Sequence, residues 1–143
     1  MLKNFFSLCI LCAALAGVAT PTLAATVNAP TAAECAAPDT QKRMNDCAYE
    51  DFLAASAGYA EGNKAVSGKL SGKQHKLFRR TQKVWIRYRT AACDFQSSAV
   101  QGGSAYGMVK WQCAARMTRA RVVELTAMGN CPEGDAACVR FKK

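Results

Sequence analysis

The chain has 143 residues, eight cysteines, and 19 Lys and Arg against 10 Asp and Glu, for a net charge of +9. That length holds one domain with a modest core and excludes a multidomain machine. A single histidine and scattered acids leave little for acid–base chemistry, and the positive balance points to acidic partners.

The N-terminus reads as a secretory signal peptide over residues 1–24. Lys3 supplies the positive start, Phe5 to Val18 is an almost unbroken apolar run, and Thr22-Leu23-Ala24 supplies small residues for cleavage after Ala24, or one residue later after Ala25. The run falls short of the ~20 residues of a membrane span; the competing reading is an uncleaved anchor. Cys9 and Cys12 lie inside it without a lipoprotein box, so no lipid anchor is expected. Removing 24 of 143 residues leaves 119, six cysteines and, with only Lys3 lost, a charge of +8. The expected location is the periplasm or the medium, with no transmembrane span after cleavage.

Residues 25–38 are rich in Ala, Thr and Pro and predict a flexible or strap-like leader tied down at Cys35. A helical domain is predicted over 39–128. Its first helix starts at Asp39 or Thr40, either able to cap, and carries Met44, Cys47, Ala48, Phe52, Ala55 and Tyr59 on one face. Gly58, Gly62 and Asn63 weaken its far half. The second helix begins at Ser71, with Gln74 completing a capping box. Its apolar stripe is Leu77, Thr81, Trp85, Tyr88, Ala92 and Phe95. The third helix starts at Ser104, keeps Val109, Cys113, Met117, Arg121 and Leu125 in phase, and stops at Gly129-Asn130. Residues 129–143 read as a small cystine loop with a basic tail. No stretch alternates like a strand, so the fold class is all-α: a three-helix antiparallel hairpin bundle with disulfide staples.

An even cysteine count behind a signal peptide predicts disulfides. A metal site is the alternative, but there is no CxxC pair and no cysteine beside His75; no metal or other cofactor is expected. Six cysteines allow 15 pairings. The layout favours Cys35–Cys47 for the returning leader, Cys93–Cys113 across the hairpin of helices two and three, and Cys131–Cys138 for the tail.

Four strings carry a resemblance: Thr40-Gln41 with Met44-Asn45 and Cys47-Ala48; Gln82, Trp85-Ile86 and Tyr88-Arg89 with Cys93; Gly102-Gly103-Ser104; and Cys113 with Thr118-Arg119, Arg121 and Glu124-Leu125. Together, over about residues 35–128, they resemble the LprI-like family, small bacterial envelope proteins named for a lysozyme inhibitor and mostly of unassigned role. The chain departs from that pattern at Ala54–Gly58, at Thr90 and at Ala120, each time losing an acid or amide.

The motif reads first as structural. Trp85 and Tyr88 are expected in the core, and Gln82 beside a helix end or loop carbonyl. Arg89 and Arg121 face each other across the hairpin, with Glu124 as the acid for one of them. Gly102 and Gly103 let the loop turn and Ser104 caps. Outside, Arg79, Arg80, Lys83 and Arg87 form a candidate binding patch, weighed against an ordinary solvated face. Two functions follow: a non-enzymatic binding protein that blocks lysozyme or another envelope glycosidase, as the resemblance implies, or an accessory module for anionic envelope polymers or lipid headgroups. Nucleic acid is not an expected partner of an exported chain, and no residue is assigned a catalytic role.

Overall fold

A computed structural model describes residues 29–132 and 134–142. The expected signal segment and its cleavage site lie outside them. Helices α1 (Ala32–Ala36), α2 (Gln41–Lys69) and α3 (Gly72–Ser97) are followed by a 3-10 turn at Ser98–Val100 and by α4 (Tyr106–Gly129). The described residues contain no strand, and the fold is all-α.

The expected leader carries structure of its own. Thr31 and Glu34 form a reciprocal capping box that starts α1, with Thr31 N–H donating to Glu34 Oε2 at 2.8 Å and Glu34 N–H to Thr31 Oγ1 at 3.3 Å. The disulfide Cys35–Cys47 bolts α1 to α2, and Arg43 pairs with Glu34 beside it.

Thr40 caps α2, its Oγ1 accepting from Arg43 N–H at 3.2 Å. The helix then runs unbroken through Gly58 and Gly62, although each glycine costs about 1 kcal/mol against alanine. Close packing offsets that cost. A Cβ at Gly62 would lie 3.4 Å from Leu125 Cβ, and one at Gly58 3.7 Å from Val122. With Ala48 and Ala55 also buried, α2 offers α4 a flank of small side chains, met by buried Ala114 and Ala115. The two helices run parallel: Asn45 near the start of α2 bonds the start of α4, and Lys69 at its end donates to Gly129 O at 2.7 Å.

The tightest helix pair is therefore α2–α4, which are not consecutive in the chain. α3 runs antiparallel to both and lies nearer α4. Aromatic rings hold it off α2, with Tyr59 stacked on Trp85 at 5.1 Å between centroids. Two expected caps do not form. Ser71 occupies the N-cap of α3, but its side chain makes no capping bond and Gly72 turns the chain at φ 53°. α4 starts at Tyr106 rather than Ser104, with no side-chain cap.

The core is split in two. Near the α3–α4 loop, Cys93, Cys113 and Ala114 pack with Phe52, Trp111 and Met117. At the opposite end, Val66, Leu70, Phe78 and Leu125 pack with Tyr59 and Met128. The tail closes this second cluster. Cys131–Cys138 forms its loop, Val139 and Phe141 lie against the cluster, and Lys142 N–H donates to Lys69 O at 2.9 Å. No helix among the described residues is long and apolar enough to cross a membrane.

Candidate functional site

Between the two apolar clusters lies a polar waist built by the motif residues. Gln82 is buried, and its Oε1 accepts from Tyr59 Oη (3.3 Å) and from Arg121 Nε and Nη2 (3.3 and 3.2 Å). Arg89 donates to Thr118 Oγ1 at 3.0 Å, and the Thr118 hydroxyl donates in turn to Ala114 O at 2.6 Å. Both guanidinium groups lie over the Trp85 ring, and Arg89 also lies 4.9 Å from the Phe52 centroid. Arg89 has no carboxylate partner among the described residues. Burial pushes its pKa below the ordinary arginine value, with Tyr59 acting weakly the other way.

The expected pairing of Glu124 with one of the two arginines forms, within α4 rather than across the hairpin. Glu124 accepts from Arg121 at 2.5 Å, one turn away on the same helix. The register of α3 against α4 is instead fixed by the Gln82–Arg121 and Arg89–Thr118 bonds. Gln82 thus serves neighbouring side chains rather than a helix end or a loop carbonyl. Its Nε2 is buried without a partner, as is Ser56 Oγ on α2. The departures at Thr90 and Ala120 are exposed, so they leave the waist intact.

The loop end is held from several sides. Cys93–Cys113 ties α3 to α4, and Lys110 donates to Asp94 Oδ1 at 2.6 Å, which raises the lysine pKa. Arg116 reaches Gln96 Oε1 at 3.1 Å. Asn45 pins the loop from α2: its Nδ2 donates to Ser104 O and its Oδ1 accepts from Met108 N–H, both at 2.9 Å. Gln41 orients Asn45 with a 3.1 Å bond. Gln41 and Asn45 were legible only as members of the family string. Gly102 takes φ 80°, as expected of the turn, whereas Gly103 does not need positive φ and Ser104 contributes its carbonyl rather than a cap. Gln101 to Ser104 are exposed and uncharged.

The outer face of α3 differs most from expectation. Trp85 is half-buried at the waist, but Tyr88 is exposed, as are Leu77, Thr81 and Phe95. The inward stripe is Phe78, Gln82 and Cys93, buried, with Trp85 and Arg89 half-buried, rotated by about one position. Arg79, Arg80, Lys83 and Arg87, joined by Lys76 and Val84, line one groove of about 430 Å³. None of these cations pairs with an acid among the described residues.

His75 lies beside Ser67, Nε2 to Oγ 2.9 Å, in a broad depression with Tyr59, Asn63 and Lys64. A nucleophile–base pair also needs a group orienting the imidazole and donors for an oxyanion. No hydrogen bond to the second imidazole nitrogen orients His75 among the described residues. No group of three or more His, Cys, Asp or Glu there could hold a metal.

A family profile described as Lysozyme inhibitor LprI matches residues 32–125. An uncharacterized protein of Rhizobium meliloti (strain 1021) is 28% identical over 116 residues, covering 68% of this chain and 84% of that protein. No solved structure matches the chain significantly.

Proposed function

The chain belongs to the lysozyme inhibitor LprI family, and from that membership and the braced loop end we propose that it is a non-catalytic envelope protein that blocks a muramidase. The observation that carries the reading is the pinning of loop 98–105 by Cys93–Cys113, Lys110–Asp94 and Asn45. A loop already ordered loses little conformational freedom on binding. Its exposed Gln101-Gly102-Gly103-Ser104 tip offers polar, uncharged contacts narrow enough for a cleft that carries two catalytic carboxylates. Disulfides and family fit an extracytoplasmic protein; on this reading the segment 1–24 exports it to the periplasm or the medium.

Charge sets a condition on the target. A domain of this positive charge is repelled over long range by a strongly cationic lysozyme. Neutral or acidic muramidases should therefore be inhibited faster, with the difference narrowing as salt rises. The test is turbidity decay of cell-wall suspensions with a panel of lysozyme classes. Inhibition at micromolar inhibitor that is lost on replacing Gly102-Gly103 by two larger residues supports the reading. Full activity of every class ends it.

A second reading has its own observation, the row of unpaired cations on α3. It makes the protein an accessory module for anionic envelope polymers or lipid headgroups, and its binding should fall steeply with salt.

A further inference from the structure

The outer face of α3 is amphipathic in its own right. Leu77, Val84, Tyr88 and Phe95 are 53%, 54%, 61% and 83% exposed. With Thr81 and Ala91, also exposed, they are spaced 4, 3, 4, 3 and 4 residues apart, which is one continuous helical stripe. At ~1.5 Å per residue the stripe is about 27 Å long. None of these side chains belongs to either core cluster, so the fold does not need them apolar. Beside the stripe run Lys76, Arg79, Arg80, Lys83 and Arg87.

An apolar line edged by cations along a straight helix suits the boundary between headgroups and acyl chains of an anionic bilayer. We propose that α3 docks the protein flat on such a membrane. Tyr88 and Phe95 would enter at headgroup depth, with the arginines and lysines on lipid phosphates. The proposal rests on the second reading above and narrows it from any polyanion to a lipid surface. A second copy of the chain fits less well. Packing two such stripes antiparallel about a two-fold axis brings the arginine edges of both copies to one side, where like charges repel.

The test is flotation of the exported, oxidised protein, confirmed by mass to lack residues 1–24, with vesicles of phosphatidylcholine alone or with one quarter phosphatidylglycerol. Heparin retention runs in parallel. The expected result is binding to the anionic vesicles only. Tyr88→Ser with Phe95→Ser should weaken vesicle binding about tenfold or more, because two large apolar groups lose their burial, while heparin retention stays unchanged. Arg80→Glu with Arg87→Glu should weaken both. Vesicle binding that is insensitive to the serine pair overturns the membrane proposal and leaves the polyanion reading standing. Loss of heparin and vesicle binding alike in the wild type overturns both. Concentration-dependent dimerisation abolished by the serine pair also overturns the proposal, because the face would then be a self-interface.

Discussion

Removing the disulfide Cys93–Cys113 tests how stability is distributed in this fold. Chain entropy alone ranks the bridges by the span they close: 20 residues here against 7 for Cys131–Cys138. That comes to about 3 and about 2 kcal/mol, a difference of only about 1 kcal/mol. Position in the core separates them further. Cys93 and Cys113 are 1% and 3% exposed among Phe52, Trp111 and Met117, whereas the tail bridge lies outside both clusters. Replacing both buried cysteines by alanine adds about 1 kcal/mol per vacated sulfur. The expected losses are then roughly 5 kcal/mol for Cys93→Ala with Cys113→Ala and roughly 2 kcal/mol for Cys131→Ala with Cys138→Ala. A domain of this size has on the order of 5–15 kcal/mol in all, so the first variant should lose between about a third and all of its stability. Urea unfolding of the oxidised proteins, followed by far-ultraviolet circular dichroism, reads both losses. A gap of about 1 kcal/mol or less would refute the assignment of the Cys93–Cys113 cystine to the core.

Asn45→Ala removes two bonds that hold the loop, and should cost about 1–3 kcal/mol while raising amide exchange at residues 101–108 ahead of the rest of the bundle; uniform exchange would show that the loop is not pinned there. Gly62→Ala adds a methyl at ordinary contact distance from Leu125 and should leave stability level or up to about 1 kcal/mol higher. Gly62→Leu should cost about 1–3 kcal/mol by forcing α2 and α4 apart, as thermal denaturation would show. Glu34 is held below the usual glutamate pKa by the Thr31 backbone bond first, then by the Thr31 hydroxyl and Arg43. Its folded pKa is depressed, so its contribution to α1 is present above the unfolded glutamate value and is lost as pH falls through the lowered folded one. Carboxyl-carbon NMR should place that titration below the ordinary range, and α1 amide protection should fall with it.

The three long helices and their order were legible, but not the short α1, because 3.6-residue periodicity is a local signal that needs several turns to show. Thr40 and the Gly129-Asn130 stop did their work from the sequence alone. The Thr31–Glu34 box is an equally local signal, masked by the Ala and Pro richness around it, which reads as a bare strap. The pairing of α2 with α4 was not readable. It depends on Gly58 and Gly62, whose missing side chains look like helix weakness until a partner helix fills the space. The inward stripe on α3 lies about one position from the expected one for a related reason. That helix has apolar residues on two flanks, and hydrophobic spacing alone does not say which one turns inward. The waist was half legible: Gln82, Arg89 and Arg121 stood out as members of the family strings. Their partners were not, because Thr118, Tyr59 and the ring faces of Trp85 and Phe52 join them only through tertiary packing.

The two flanks of α3 also say what the fold leaves to selection for binding. α2 and α4 approach closely through small residues and bury one another without help. α3 adds one inner stripe, and its large aromatic and arginine side chains span the wider gap to α2. Among the described residues nothing covers Val84, Tyr88 or Phe95. Serine at Val84, Tyr88 or Phe95 should therefore shift unfolding stability by no more than about 0.5 kcal/mol, whereas Phe78→Ala on the inner stripe should cost about 3–5 kcal/mol. A face that can be made polar without harm to the fold has another reason to be apolar. If any of these serine variants instead unfolds as readily as Phe78→Ala, the outer stripe is structural, and neither a membrane nor any other partner is needed to explain it.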